Sequence, residues 1–207
     1  MTTPPKTIPD EKPFPEHLLM PQTPVLETER LILRPLRESD VPVIQRRFPQ
    51  WEIVQYLHDE VPWPYPADGA AVNMAQCLEK MAKRQQCYWA ITLKGGDDEL
   101  LGRIDLWADD GVRRDQRGFW LDPEFWGRGL MTEAANRVTD FALLELGWPH
   151  LWLNNAEDNI ASHRVKEKQG ATIVDRTTRG YVYGMGVKVT WLLTRDAWLA
   201  HRQTTTG

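Results

Sequence analysis

Sulfur chemistry is nearly absent from this chain of 207 residues. Its two cysteines, Cys77 and Cys87, form no Cys-x-x-Cys pair and have no histidine at ligand spacing. That leaves neither a disulfide framework nor a thiolate metal site, and the expectation is two reduced thiols in an intracellular protein with no metal. Positive charge is not in excess either: 25 Lys and Arg stand against 29 Asp and Glu, a net charge of -4. The basic footprint of non-specific nucleic-acid binding is therefore missing. Long apolar runs are lacking as well, and no window approaches the roughly 20 residues of a membrane span. The chain reads as soluble and cytoplasmic, with no membrane and no nucleic-acid partner. No internal repeat is present, and 207 residues that are 42% hydrophobic suffice for one core and one domain.

What is present is ordered by its punctuation. Seven prolines between Met1 and Pro24 oppose helix and ladder formation, so 1–24 is expected to be a mobile tail or one that docks late on the body. The domain proper is expected over 25–200, with 201–207 as a second flexible tail. Alternation from Glu27 to Leu36 predicts a first strand, and Ser39 is placed to cap a short helix over Asp40 to Phe48. Tyr56 to Asp68 then carries Tyr56, His58, Asp59 and Glu60, followed by the stiff run Pro62-Trp63-Pro64-Tyr65-Pro66. It reads as a lid or as a loop packed on the core. A helix from Asp68 or Gly69 to about Gln86 precedes strands at Cys87 to Leu93 and Leu100 to Trp107, and a third strand ends at Leu121. The class is α+β.

The third strand ends in Phe-Trp-Leu-Asp-Pro-Glu-Phe-Trp-Gly-Arg-Gly-Leu-Met-Thr, Phe119 to Thr132. This is strand, glycine turn, helix: two glycines allow close approach of the backbone, and the free N–H groups of a helix start attract an anion such as a phosphate. A P-loop would need Gly-Lys-Ser/Thr after the turn, and a dinucleotide fingerprint would need Gly-x-Gly-x-x-Gly directly after the strand. Neither is met. A turn without any ligand stays open on these residues alone. The following helix places Met131, Ala134, Ala135, Val138, Phe141 and Ala142 on one face and ends at Gly147, before a strand at His150 to Asn154. Strand, helix, strand predicts parallel neighbours joined by a right-handed crossover. Asn159 and Gly170 bracket a further helix, and a closing hairpin is expected from Ala171 to Arg176 and Val187 to Leu193 across Gly180 to Gly186.

Trp-Gly-Arg-Gly-Leu-Met-Thr-Glu-Ala, Trp126 to Ala134, resembles motif A of the GNAT acyltransferases in the form used by their ribosomal-protein (RimJ/RimL-like) branch. The general pattern Gln/Arg-x-x-Gly-x-Gly/Ala is met outright only by Gly129; Trp126 and Met131 depart from it, and the branch form accommodates both. A second resemblance lies at Asn159 to Gly170, where Asn159, Ser162, Glu167, Lys168 and Gly170 match Asn-x-x-Ser/Ala-x-x-x-Tyr/Leu-Glu-Lys-x-Gly-Phe. Lys166 stands where Tyr or Leu is usual, and Ala171 where Phe is usual. The resemblance covers roughly Glu27 to Trp198. It implies a central, mixed, mostly antiparallel twisted sheet flanked by helices, with a parallel strand pair splayed at the cofactor site.

It further implies acetyl-CoA as co-substrate, held by Leu121, Trp126, Gly127, Arg128, Gly129, Leu130, Met131, Thr132, Asn159 and Ser162, and attack of an amine on the thioester. That chemistry needs a proton acceptor for the amine, donors for the oxyanion and a proton for the departing thiolate. Leu121 N–H is the expected oxyanion donor and Ser162 the expected acid, in place of the missing Tyr. Asp105 is the candidate base, with Asp59, Glu60 and His58 behind it. An α-amine, with a reference pKa about 2.5 below that of lysine, could dispense with a base. The acceptor reads as a protein N-terminus or a small amine, and aromatics near Trp191 and Trp198 would permit a homodimer. A non-catalytic acyl-CoA-binding module, or an interaction domain using its ten tryptophans, are the competing classes.

Overall fold

The computed structural model describes residues 15–205. Five antiparallel strands form the first sheet in sequential order: β1 (Leu26–Glu27), β2 (Leu31–Pro35), β3 (Cys87–Leu93), β4 (Gly102–Leu106) and β5 (Arg117–Leu121). A second sheet has the order β6-β8-β7, from β6 (His150–Ala156), β7 (Thr172–Tyr181) and β8 (Gly184–Thr194), again antiparallel. Period-two side-chain alternation gives the first sheet two apolar faces. On one face Leu31, Leu33, Trp89, Ile91, Ile104 and Leu121 pack with α4 (Leu130–Asp140), which continues through a π-turn at Phe141–Glu145. On the other, Leu36, Tyr88, Ala90 and Trp120 meet α1 (Val41–Arg47), the single turn α2 (Trp51–Val54) and α3 (Gly69–Ala82).

Several expectations are corrected. The single strand from Glu27 to Leu36 is two, because Thr28 folds back on Leu31: Thr28 N–H donates to Leu31 O at 3.0 Å and Leu31 N–H to Thr28 Oγ1 at 2.9 Å. Ser39 caps nothing; Glu38–Asp40 is a 3-10 turn, and buried Asp40 instead takes Arg37 N–H and both amino nitrogens of Arg34. α3 stops at Ala82, where Arg84 turns left-handed with φ 56°. The closing hairpin is longer and tighter than expected: β7 and β8 pair down to Tyr181 and Gly184. The tip is held by Val182 and Tyr183 N–H, which donate to Leu57 and Gln55 carbonyls. Those contacts dock the Tyr56 to Asp68 loop on the hairpin.

At the N-terminal end the described part of the expected tail is docked, one of the two alternatives. Residues 15–24 lie against the body: Met20 is buried, its N–H bonds Arg84 O, and Trp89 Nε1 donates to Pro24 O at 2.6 Å. The part of the expected tail over 1–14 lies outside the described residues. At the other end α6 (Arg195–Thr205) runs through the expected boundary at 200, with Trp198 buried and its Nε1 bonded to Asp140. Trp191 and Trp198 are both 2% exposed, so neither offers the aromatic surface expected of a dimer contact. Among the described residues no helix is long and apolar enough to cross a membrane, and both cysteines are buried and free.

Candidate active site

β5 and β6 are neighbours but share no ladder. Gln116, just before β5, donates its N–H to Trp152 O at 2.9 Å and accepts Trp152 N–H on its side-chain oxygen at 2.8 Å. Beyond this pin the strands belong to separate sheets, so they part as the splayed pair implied by the resemblance does. β5 keeps its β4 partner throughout: Trp107 N–H donates to Gln116 O, and Asp122 N–H to Leu101 O, both in the register that pairs Gly102 with Leu121. In an antiparallel ladder the intervening residues turn their N–H groups outward. Arg117, Phe119 and Leu121 therefore present theirs to the side away from β4. At Gly102 the strands crowd: a Cβ there would lie 2.3 Å from Trp120 O and 2.9 Å from Leu121 Cα.

Asp122 stops the strand by accepting Glu124 N–H at 3.0 Å, which starts the 3-10 turn Pro123–Phe125. Trp126 Nε1 then donates back to Leu121 O at 2.7 Å, so the indole covers the end of β5 while remaining 43% exposed. Gly127 (φ 74°) and Gly129 (φ 75°) are both left-handed, a conformation glycine adopts without penalty. No atom lies within 4 Å of where a Cβ of Gly127 would be, and only Arg30 Nη2, at 3.7 Å, approaches that of Gly129. Gly129 is the N-cap of α4 and supplies no capping side chain; the first intrahelical bond is Glu133 N–H to Gly129 O. The N–H groups of Leu130, Met131 and Thr132 thus head the helix unspent, as the first turn of a helix must leave them. The turn is braced from β1 and β2: Glu133 takes Thr28 Oγ1–H, Arg30 N–H and Arg30 Nε–H, which holds its carboxyl below the usual range, while Arg30 Nη1 donates to Arg128 O. Arg128 lies over the Phe125 ring at 5.3 Å. An open, cationic, glycine-lined cradle at a helix start suits a pyrophosphate.

α5 (Ile160–Glu167) follows β6. Asn159 caps it, its Oδ1 accepting Ser162 N–H at 3.0 Å. Ser162 is 8% exposed, and its hydroxyl oxygen accepts a hydrogen bond from Lys166 Nζ at 2.8 Å. Lys166, one turn on, is 2% exposed and lies 5.4 Å from the centroid of the Phe119 ring. Lys166 thereby links Ser162 on α5 to the Phe119 side chain on β5. Burial, with Arg117 beside it, drives the Lys166 amine well below the ordinary lysine range. Arg117 is itself pushed down to about 9 by burial, against the pull of Asp115; among the described residues its guanidinium hydrogen bonds go to neutral oxygens of Ala135, Thr139 and Gln169. Asp115, two residues earlier, is pushed up to about 6 by burial, against the pull of Asn154, Lys166, Arg179 and Lys188. The Tyr181 hydroxyl, which also feels Asp115, is buried without a hydrogen-bond partner among the described residues.

Leu121 thus ends β5, Trp126 to Thr132 form the turn and helix head that follow it, Asn159 and Ser162 open α5, and Asp105 sits on β4 in an ion pair with Arg103. On β4 the side chain of Asp105 faces α3, and Arg103 engages both its oxygens at 2.9 and 3.1 Å. His58 bridges to Tyr181 on the hairpin tip and is held below its usual pKa by burial and Arg179. Phe119, Arg117, Asp115 and the burial of Lys166 were not anticipated as site features; the one sequence signal was lysine in a position the resemblance gives to Tyr or Leu.

The profile of the acetyltransferase (GNAT) domain family matches residues 30–172. The chain belongs to the GNAT acetyltransferase family. It is 28% identical over 165 residues to the uncharacterized N-acetyltransferase YoaA of Bacillus subtilis, covering 79% of this chain and 90% of that protein. Solved structures share the fold of this GNAT domain. One is RimL, a ribosomal L7/L12 alpha-N-protein acetyltransferase in complex with coenzyme A, with TM-score 0.71 at 17% identity over 84% of this chain and 99% of that one. Another is Mycobacterium smegmatis RimJ in complex with CoA-disulfide, with TM-score 0.68 at 16% identity over 82% and 88%. The protein is an acyltransferase of the GNAT fold, with mostly antiparallel sheets flanked by helices.

Proposed function

We propose that this GNAT enzyme transfers an acetyl group from acetyl-CoA to a primary amine, on a protein N-terminus or a small molecule, by direct attack on the thioester. The observation that carries this reading is the pair of left-handed glycines at the uncapped head of α4, directly after a strand that parts from its neighbour β6. Gly127, Gly129 and the N–H groups of Leu130, Met131 and Thr132 would hold the pyrophosphate, with Arg128 beside them. Trp126 and Asn159 would border the pantetheine arm. Leu121 and Phe119 direct N–H donors to where a carbonyl oxygen gains charge. The co-substrate supplies the activated acetyl; the chain aligns it, shields it and moves protons.

Ser162 serves as the proton donor to the leaving sulfur. As proton acceptor for the attacking amine we favour Asp115 over Asp105: burial raises both, but Asp105 is ion-paired with Arg103, whereas the Asp115 carboxyl, pushed up to about 6, can take a proton under neutral conditions. Asp105 remains close to Gly118, where no side chain intervenes, and acts on this reading as a structural ion pair. A cytoplasmic location fits the two unpaired thiols. The test is release of free coenzyme A thiol from acetyl-CoA in the presence of peptides with free N-termini, aminoglycosides, polyamines and amino acids. Amine-dependent release supports the transferase; binding of acetyl-CoA with no release from any amine contradicts it.

A further inference from the structure

Lys166 is a buried amine with no carboxylate in contact. Among the described residues its only hydrogen-bond acceptors are Ser162 Oγ at 2.8 Å and, more weakly, Ser162 O at 3.4 Å. Its amine also lies over the face of Phe119, with Arg117 and Asp115 near enough to act on its charge. A lysine kept out of water without an anion is costly, and packing alone would be served better by Leu or Met. The geometry has a direct consequence for Ser162. Nζ–H fills an acceptor site on Oγ, so the hydroxyl proton must point elsewhere. The Ser162 N–H is already spent on Asn159, so the residue is fixed from two sides.

We propose that Lys166 is the positioning residue of Ser162, holding its hydroxyl as a donor toward the leaving sulfur and returning the proton that Ser162 gives up. The inference rests on the acetyl-transfer reading above. In the step, the C–S bond of the collapsing adduct breaks, and its electron pair goes to sulfur. Sulfur takes the Ser162 Oγ proton as the O–H bond breaks. The Lys166 ammonium then gives a proton to Oγ and becomes the neutral amine, to be recharged from solvent after product leaves. Net, one proton passes from Lys166 to coenzyme A thiol, and Ser162 is unchanged.

The groups facing Lys166 suit a lysine that cycles between charge states. Arg117 on β5 opposes its charge and Asp115 before β5 favours it; on α5 itself, His163 is held down by burial and by Lys166, and Glu167 acts on His163. Arg179 and Lys188, from the hairpin, act on Asp115.

The test is the pH profile of kcat for coenzyme A thiol release in wild type, Lys166→Met, Ser162→Ala and the double variant, with acetyl-CoA affinity measured by calorimetry in each. The expectation is a loss of about 10²- to 10⁴-fold in kcat for either single variant, the range of a proton-transfer contribution. The double variant should be no slower than the slower single, because the two act as one unit. In Lys166→Met the acetyl-CoA affinity should stay that of wild type, and the high-pH fall of the wild-type profile should be gone. A Lys166→Met enzyme with wild-type kcat and profile, or losses that multiply in the double variant, would overturn the proposal. Where Lys166→Met does not fold, the wild type still decides: the ¹³Cε shift of Lys166 should titrate together with the high-pH limb of kcat, and a lysine that stays charged through that limb contradicts it. Wild-type enzyme that turns over with no amine removes the transferase reading first, and this inference with it.

Discussion

At the scale of single residues, two side chains separate structural from functional roles. Asn159 caps α5, and loss of such a cap costs about 1 kcal/mol. Asn159→Ala should therefore lower the melting temperature. Asn159→Asp keeps the capping oxygen but loses the amide donor, so it should keep the melting temperature and weaken acetyl-CoA binding; calorimetry showing unchanged affinity in both would leave Asn159 as a cap only. Asp115 gives a pH-dependent signature. Its folded pKa of about 6 lies above the ordinary carboxyl value, so its cost to the fold is absent below about pH 4, grows between pH 4 and 6, and is complete above 6. Comparing urea unfolding of Asp115→Asn and wild type at pH 4 and pH 8 should show the balance moving toward the variant by on the order of 1–3 kcal/mol at the higher pH. An identical difference at both pH values would mean that Asp115 is not held protonated by the fold.

At the scale of elements, the seam between β4 and β5 sets the position of the free N–H groups. Gly102→Ala drives a methyl into the Trp120 carbonyl, and overpacking of this kind costs about 1–3 kcal/mol. It should also lower kcat by displacing Leu121. Gly118→Ala, where the nearest atom to a new Cβ is 3.6 Å away, is the control and should unfold within about 0.5 kcal/mol of wild type. Equal destabilisation by both would show that the seam is not the constraint. In the glycine turn, Gly129→Val forces a left-handed side chain, a strain of about 1–2 kcal/mol, and fills the cradle. Acetyl-CoA affinity should fall at least tenfold while the variant remains folded by circular dichroism.

These elements were also the ones most legible in the sequence, for a physical reason. Strand, glycine turn and helix from Phe119 to Asp140, and the capped helix after Asn159, are specified by residues a few positions apart. What escaped depends on distant partners. Nothing local in Arg195 to Thr205 shows that Trp198 will bury against α4 and hold a helix to the end. The extension of β7 to Tyr181 depends on the Gln55 to Leu57 carbonyls that receive its tip. That β5 and β6 would part was implied by the resemblance, but that they are pinned at Gln116 and Trp152 was not, because the pin joins residues 36 positions apart. Lys166 was visible as a departure from the resemblance, yet its burial against Ser162 and Phe119 depends on how α5 lies on β5, which only the tertiary structure shows.

For the whole molecule, β5 and β6 are pinned at Gln116 and Trp152 and then part into two sheets, and the left-handed glycine turn carries β5 into the head of α4. The family membership makes the protein an acetyltransferase; this arrangement makes specific claims about where acetyl-CoA sits and which groups move protons. The most direct test combines calorimetric titration of acetyl-CoA into wild type and Gly129→Val with thiol release across the amine panel. Binding by wild type, its loss in Gly129→Val, and release that depends on an added amine are the predicted results. Equal affinity in the two proteins, or no binding by wild type, would contradict the placement of the co-substrate at the glycine turn and the mechanism built on it.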